Sequence, residues 1–109
     1  MTLPNRRSQP VRLTATAGDD LDGAFAYISE RNRGAAVGLL GRLRHVVTSL
    51  ADFPDLGVML SPEDFELIAP GIRFLVVEPY VVFYRVSTDG VVVLRILHSR
   101  RDFLGELLE

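Results

Sequence analysis

Few side chains in this sequence suit chemistry, and those that do crowd one end of one segment. The stretch "VVVLRILHSRRDF" runs from Val91 to Phe103. Its first seven residues are apolar apart from Arg95; His98, Ser99, Arg100, Arg101 and Asp102 follow. A histidine trades protons near neutral pH. Guanidinium groups hold phosphate or carboxylate through a flat fork of donors. His98 with its neighbouring arginines therefore offers a proton-transfer and phosphate-holding set. The same residues also have a plain structural use. Ser99 can cap a terminal helix with Asp102 three positions on, and Arg100 or Arg101 can pair with Asp102, Glu66 or Glu78.

Other chemistry is thin. There is no glycine-rich phosphate loop and no cysteine, hence no thiolate nucleophile and no disulfide framework. The two histidines, His45 and His98, cannot build a zinc site alone, so no metal and no cofactor is expected. His45, beside Arg44, reads as a solvent-facing helix residue. All twelve basic residues are arginines. Arg73, Arg85 and Arg95 interrupt apolar runs. With helices over one face of a sheet only, some of these three should share the open face with residues 98–102 and gather a basic patch there.

The elements that position these groups follow from periodicity. "VRLTATA" (Val11 to Ala17) alternates as a half-buried strand, and Asp19 or Asp20 is the expected cap of the helix after it. Leu21, Ala24, Phe25 and Ile28 form one apolar stripe, predicting a helix to about Arg33 with Gly34 beyond its end. Ala36, Leu39, Leu40, Leu43, Val46, Val47 and Leu50 form a second, from about Ala35 to Ala51. The short link makes an antiparallel helical hairpin. Gly38 and Gly41 each cost that second helix about 1 kcal/mol relative to alanine; close approach of another backbone or a bulky side chain is the expected compensation. Residues 55–70 read as irregular. Strands are expected at Ile72–Val77, Tyr80–Ser87 and Val91–His98, with a turn at Thr88–Gly90. Tyr80–Ser87, apolar on both faces, should be central. Phe103, Leu104, Leu107 and Leu108 sit at helical spacing in the tail.

The fold class is therefore α+β: an antiparallel sheet of order β-α-α-β-β-β, a possible short C-terminal helix, and a helical hairpin on one face. At 109 residues the chain is one domain, with residues 1–10 a flexible leader and 11–109 the folded unit. Nothing resembles a signal peptide or a membrane span, so a cytoplasmic protein without membrane contact is expected. The formal charge of −2 argues against broad gripping of nucleic acid.

The local motifs, in their order and spacing, resemble the ParE/RelE toxins of bacterial type II toxin–antitoxin systems, the ParE branch more than the RelE branch. "AGDDLDGAFAYISERN" is similar to the family's first helix, and "LADFPDLG" follows the second. "PGIRFLVVEPYVVFYRV" resembles its G-x-R and Y-x-x-x-Y-x-V strands. "VVVLRILHSRRD" resembles its final LRVLH-x-x-RD strand. The resemblance covers about residues 11–103.

It implies a toxin that inhibits DNA gyrase by binding, with no catalytic residue, neutralised by a cognate antitoxin, ParD-like or RelB-like. Operator DNA would be met only through that antitoxin. By position, the target-binding residues are Arg73, His98, Arg100, Arg101 and Asp102. Leu21, Phe25, Tyr27 and Leu39 are candidates for the antitoxin surface, although core packing also accounts for each. Two alternatives remain. One is a ribosome-dependent mRNA endoribonuclease using Arg73, His98 and Arg101. The other is a degenerate toxin that only binds its antitoxin and assists repression. Against cleavage, Phe103 has no hydroxyl where a RelE-like tyrosine would come, and "EDFELIAPG" before Arg73 is acidic.

Overall fold

The computed structural model describes residues 10–60 and 71–100. Their order is β1 (Val11–Leu13), α1 (Ala15–Ser29), α2 (Arg33–Ser49), β2 (Val58–Met59), β3 (Ile72–Val77), β4 (Tyr80–Ser87) and β5 (Gly90–His98). The five strands form one sheet in the order β1-β5-β4-β3-β2. The class is the expected α+β, with the helical hairpin on one face. The three long strands are antiparallel, with β4 central as its two-sided apolar pattern requires.

Three local expectations give way. β1 joins parallel to β5, Val11 opposite Val91, so the sheet is mixed. β2, absent from the expected order, pairs antiparallel with β3 over two residues. The alternation of "VRLTATA" stops early: Thr14 is extended, and its hydroxyl accepts the Ala17 N–H at 3.0 Å. Thr14, rather than Asp19 or Asp20, is therefore the N-cap, and the helix starts at Ala15, six residues before Leu21. Asn32 caps α2 through the Ala35 N–H.

The main core lies between hairpin and sheet. Ala17, Ala24, Leu39, Leu43 and Leu50 meet Val77, Tyr80, Val82, Tyr84, Val91, Val93 and Ile96. The far face carries a smaller apolar cluster, Ile72, Val81, Phe83 and Leu97, with Leu60, Phe74 and Leu94 against it. Of the three strand arginines only Arg85 is exposed, and its register partner Ile72 belongs to the far-face cluster. Among the described residues the expected basic patch is therefore not gathered on that face. Gly38 and Gly41 also differ from expectation. A Cβ at Gly41 would meet nothing within 4 Å, and one at Gly38 only the end of the Arg42 side chain at 3.9 Å. No neighbouring backbone or bulky group offsets their effect on the helix.

Gly90 does have a backbone reason. Its φ is +134°, and a Cβ there would collide with the Pro10 carbonyl, which accepts the Val91 N–H at 2.8 Å where β1 meets β5. No described helix is long and apolar enough to cross a membrane.

Candidate functional site

The ladder between β4 and β5 slips by one residue between Phe83 and Tyr84. This β-bulge sets Arg95 opposite Phe83 while Leu94 packs with the far-face cluster, and the Arg95 side chain reaches α1. There the Asp20 carboxylate accepts from Arg95 Nε at 2.8 Å and Nη2 at 3.0 Å, and from the Ile96 N–H at 2.9 Å. Both side chains are largely buried, 17% and 14% exposed. Thr14 Oγ1 donates to the Leu94 carbonyl at 3.0 Å. One helix turn and its cap thus satisfy the outward backbone groups of β5 beyond the point where β1 ends. The one charge inside the apolar run is a fastener between strand and helix.

Past this fastener, the end of β5 and α1 form the walls of a cleft. Tyr27, Asp19, Glu78, Tyr80, His98 and Arg100 are among its lining residues. The His98 ring meets Tyr80 edge-on, with centroids 5.3 Å apart. His98 Nδ1 accepts the Arg100 N–H at 3.1 Å. Arg31 lies over the Tyr27 ring at 4.1 Å, a cation–π contact that leaves Tyr27 56% exposed.

Arg73 is elsewhere. It stands opposite Tyr84 on β3, donates to the Gly57 carbonyl at 2.8 Å, and pairs with Asp55 at 3.4 Å. Tyr84, with no exposed surface, donates its hydroxyl proton to the Pro54 carbonyl at 2.8 Å and accepts the Gly57 N–H at 2.7 Å. Burial pushes its phenol above the ordinary tyrosine value, although the Gly57 bond and Arg73 act the other way. Position 57 must be glycine, since a Cβ would stand 2.7 Å from the Phe74 carbonyl and from the Tyr84 ring. Two side chains therefore fix the loop between α2 and β2. Phe53 and Leu56 on that loop, with Val58 and Met59 after it, are left exposed.

The sequence-derived candidates thus separate. His98, Arg100 and Tyr27 share one cleft, although Tyr27 was assigned to a different partner from the other two. Arg73 and His98 lie four positions apart along β4 and one strand to either side of it, roughly 16 Å at ordinary strand spacings. Leu39 is a core residue, 3% exposed, while Leu21 and Phe25 are half-buried. Arg101, Asp102, the leader to residue 9 and the tail helix that Ser99 was expected to cap lie outside the described residues. Asp20 and Tyr84 were missed as fasteners. Their partners lie 75 and 30 residues away, and no local pattern carries that information. Among the described residues no three His, Asp or Glu side chains converge as a metal site would need.

The family model for the ParE toxin of the type II toxin–antitoxin system parDE matches residues 11–103. The chain is 35% identical over 95 residues to Toxin ParE3 of Caulobacter vibrioides, covering 86% of this chain and 90% of that protein. Its fold is similar to a chain of the chromosomal ParDE system from P. aeruginosa, with a TM-score of 0.67 at 22% identity. That match covers 84% of this chain and 96% of the other.

Proposed function

Because the chain belongs to the ParE toxin family of type II toxin–antitoxin systems, we propose that it inhibits DNA gyrase by binding and is neutralised by a ParD-like antitoxin. Such a toxin acts in the cytoplasm and meets operator DNA only through its antitoxin. The observation that carries the binding reading is the separation of Arg73 from His98. An endoribonuclease must deprotonate a ribose 2′-hydroxyl and steady a crowded phosphate beside it; its acid–base groups contribute about 10²–10⁴-fold each. Arg73 is engaged by Gly57 and Asp55, at the far corner of the sheet from His98. A neutral imidazole whose Nδ1 accepts a hydrogen bond keeps its proton on Nε2. His98, bonded in that way, then presents a donor rather than a base. Both features support a surface that works by contact. On this reading His98 and Arg100, with Arg101 and Asp102 next in sequence, form the target-binding end of the sheet, and Arg73 braces a loop.

Expression of the chain alone tests the proposal. Growth should stop with DNA breaks and filamentation while bulk mRNA stays intact, and a folded His98→Gln variant should keep most of the toxicity. Rapid ribosome-dependent mRNA cleavage, abolished by His98→Gln, would make His98 catalytic and overturn the gyrase reading.

A further inference from the structure

The sheet has two edges, and the fold treats them differently. On the β5 side, beyond the end of β1, side chains take the place of a strand: Thr14 Oγ1 bonds the Leu94 carbonyl and Asp20 accepts the Ile96 N–H. Natural sheets guard their edges in such ways against unwanted pairing. Among the described residues the β3 side has no equivalent guard at Val76. Leu60 donates to the Ile72 carbonyl and Val58 stands opposite Phe74, so alternate residues of β3 direct their backbone groups outward. By that alternation Val76 does the same. Continued for two more residues, β2 would bring Leu56 opposite Val76. The chain turns away instead, and the Leu56 N–H bonds the Phe53 carbonyl. Among the described residues no strand stands opposite the outward N–H and C=O of Val76. Its side chain, where an edge would ordinarily carry a charge, is a valine 55% exposed.

The flank of α2 lies beside this opening. Gly38, Gly41, Arg42 and His45 line a groove with Val76 and Glu78. Arg42 donates to the Glu78 carbonyl at 3.2 Å. The groove continues the edge and leaves room for an incoming chain.

We infer that the uncovered half of β3, from Leu75 to Val77, accepts an extended acidic segment of the antitoxin as an added strand. This deepens the toxin–antitoxin reading and rests on it. Main-chain bonds to Val76 give such an added strand its affinity, and alternate side chains give it specificity. Charge selects the occupant. Helix α2 carries Arg33, Arg42, Arg44 and His45 and no acid, whereas α1 carries Asp19, Asp20 and Asp22 and no arginine. Among the described residues Glu78 is the one carboxylate that lines the groove, and its own backbone is held by Arg42. An acidic strand is therefore drawn to the β3 edge beneath α2 and repelled from the β5 edge beneath α1. A second copy of this chain is a poorer occupant, because a two-fold axis on β3 would bring like-charged α2 helices together.

The test uses the full chain and the protein encoded by the small frame beside its gene, purified separately and as a complex. Amide exchange at Val76 should slow in the complex. Val76→Pro removes the outward donor while sparing the β3–β4 ladder, and should weaken binding about tenfold. Val76→Glu, which keeps the backbone donor and sets a like charge against an acidic strand, should weaken binding too and guards against a proline variant that fails to fold. Arg42→Glu should weaken binding as well, more at low salt than at high. Tight binding by folded Val76→Pro and Val76→Glu, with unchanged exchange at Val76 in the wild-type complex, would overturn the added strand and leave the family reading standing. A wild-type chain that ignores the neighbouring protein altogether would overturn both. Protection of Val76 by self-association in the absence of the partner would assign the edge to a second copy and overturn the proposal.

Discussion

The Tyr84 hydroxyl ties one loop at two points. It bonds both Pro54 and Gly57, so Tyr84→Phe leaves a buried N–H and a carbonyl without that partner. The expected loss is about 1–3 kcal/mol in urea unfolding. The pH dependence has a definite sign. A phenol whose pKa is raised by folding holds its proton longer in the native state than in the unfolded chain. Its stabilisation is complete below the ordinary value near 10 and falls as pH rises through the raised one. Wild type should therefore lose stability above about pH 10 more steeply than Tyr84→Phe; parallel curves for the two proteins would refute this assignment. Asp20 makes the matching case on α1. Asp20→Asn keeps an acceptor for the Ile96 N–H but removes the carboxylate facing Arg95, a change expected to cost about 2–3 kcal/mol, and Asp20→Ala should cost more. Neither role could be read from the sequence. Arg95 was visible as a charge in an apolar run, but its pairing with Asp20 depends on how β5 is registered beside α1, and register has no local signature.

The long elements were legible because each has a full period of apolar residues. β3, β4 and the end of β5 fall where alternation and turn residues put them, and the α2 stripe Ala36, Leu39 and Leu43 is core. The short elements were not. β1 offers three residues, too few to distinguish the end of a strand from the extended Thr14 that caps a helix. Nothing in those three residues says whether they run parallel or antiparallel to β5. β2 has two residues, and it exists because Tyr84 and Arg73 hold the preceding loop against β3. The glycines of α2 carry the clearest prediction at this scale. With open space where the Gly41 Cβ would stand, Gly41→Ala should raise stability by about 1 kcal/mol. Thermal melting of the free chain measures this directly. A loss of stability instead would mean that the flank is packed more tightly than its geometry shows.

At the scale of the molecule, the small core leaves much apolar surface uncovered. Phe53, Leu56, Val58 and Met59 follow one another around the loop and β2, Val76 lies on β3, and Tyr27 and Val37 stand on the two helices, each at least 46% exposed. A chain of this size has limited burial to offset its conformational entropy. A surface so arranged is best satisfied by another protein. If that protein is the antitoxin, binding only the folded toxin, the equilibrium follows mass action: an excess of one hundred times Kd adds about 2.7 kcal/mol to stability. For a domain of this length the corresponding rise in the thermal midpoint is upwards of about 10 °C. It should grow with the logarithm of partner concentration, and it should be smaller for Val76→Pro at equal concentration because that variant binds less tightly. The free chain should also come out of solution at concentrations where the complex does not. Melting curves recorded across a titration of the partner check all three expectations together. A midpoint that stays fixed while the partner is demonstrably bound would mean that the partner holds unfolded and folded chain alike, and that the exposed apolar residues are not what it covers.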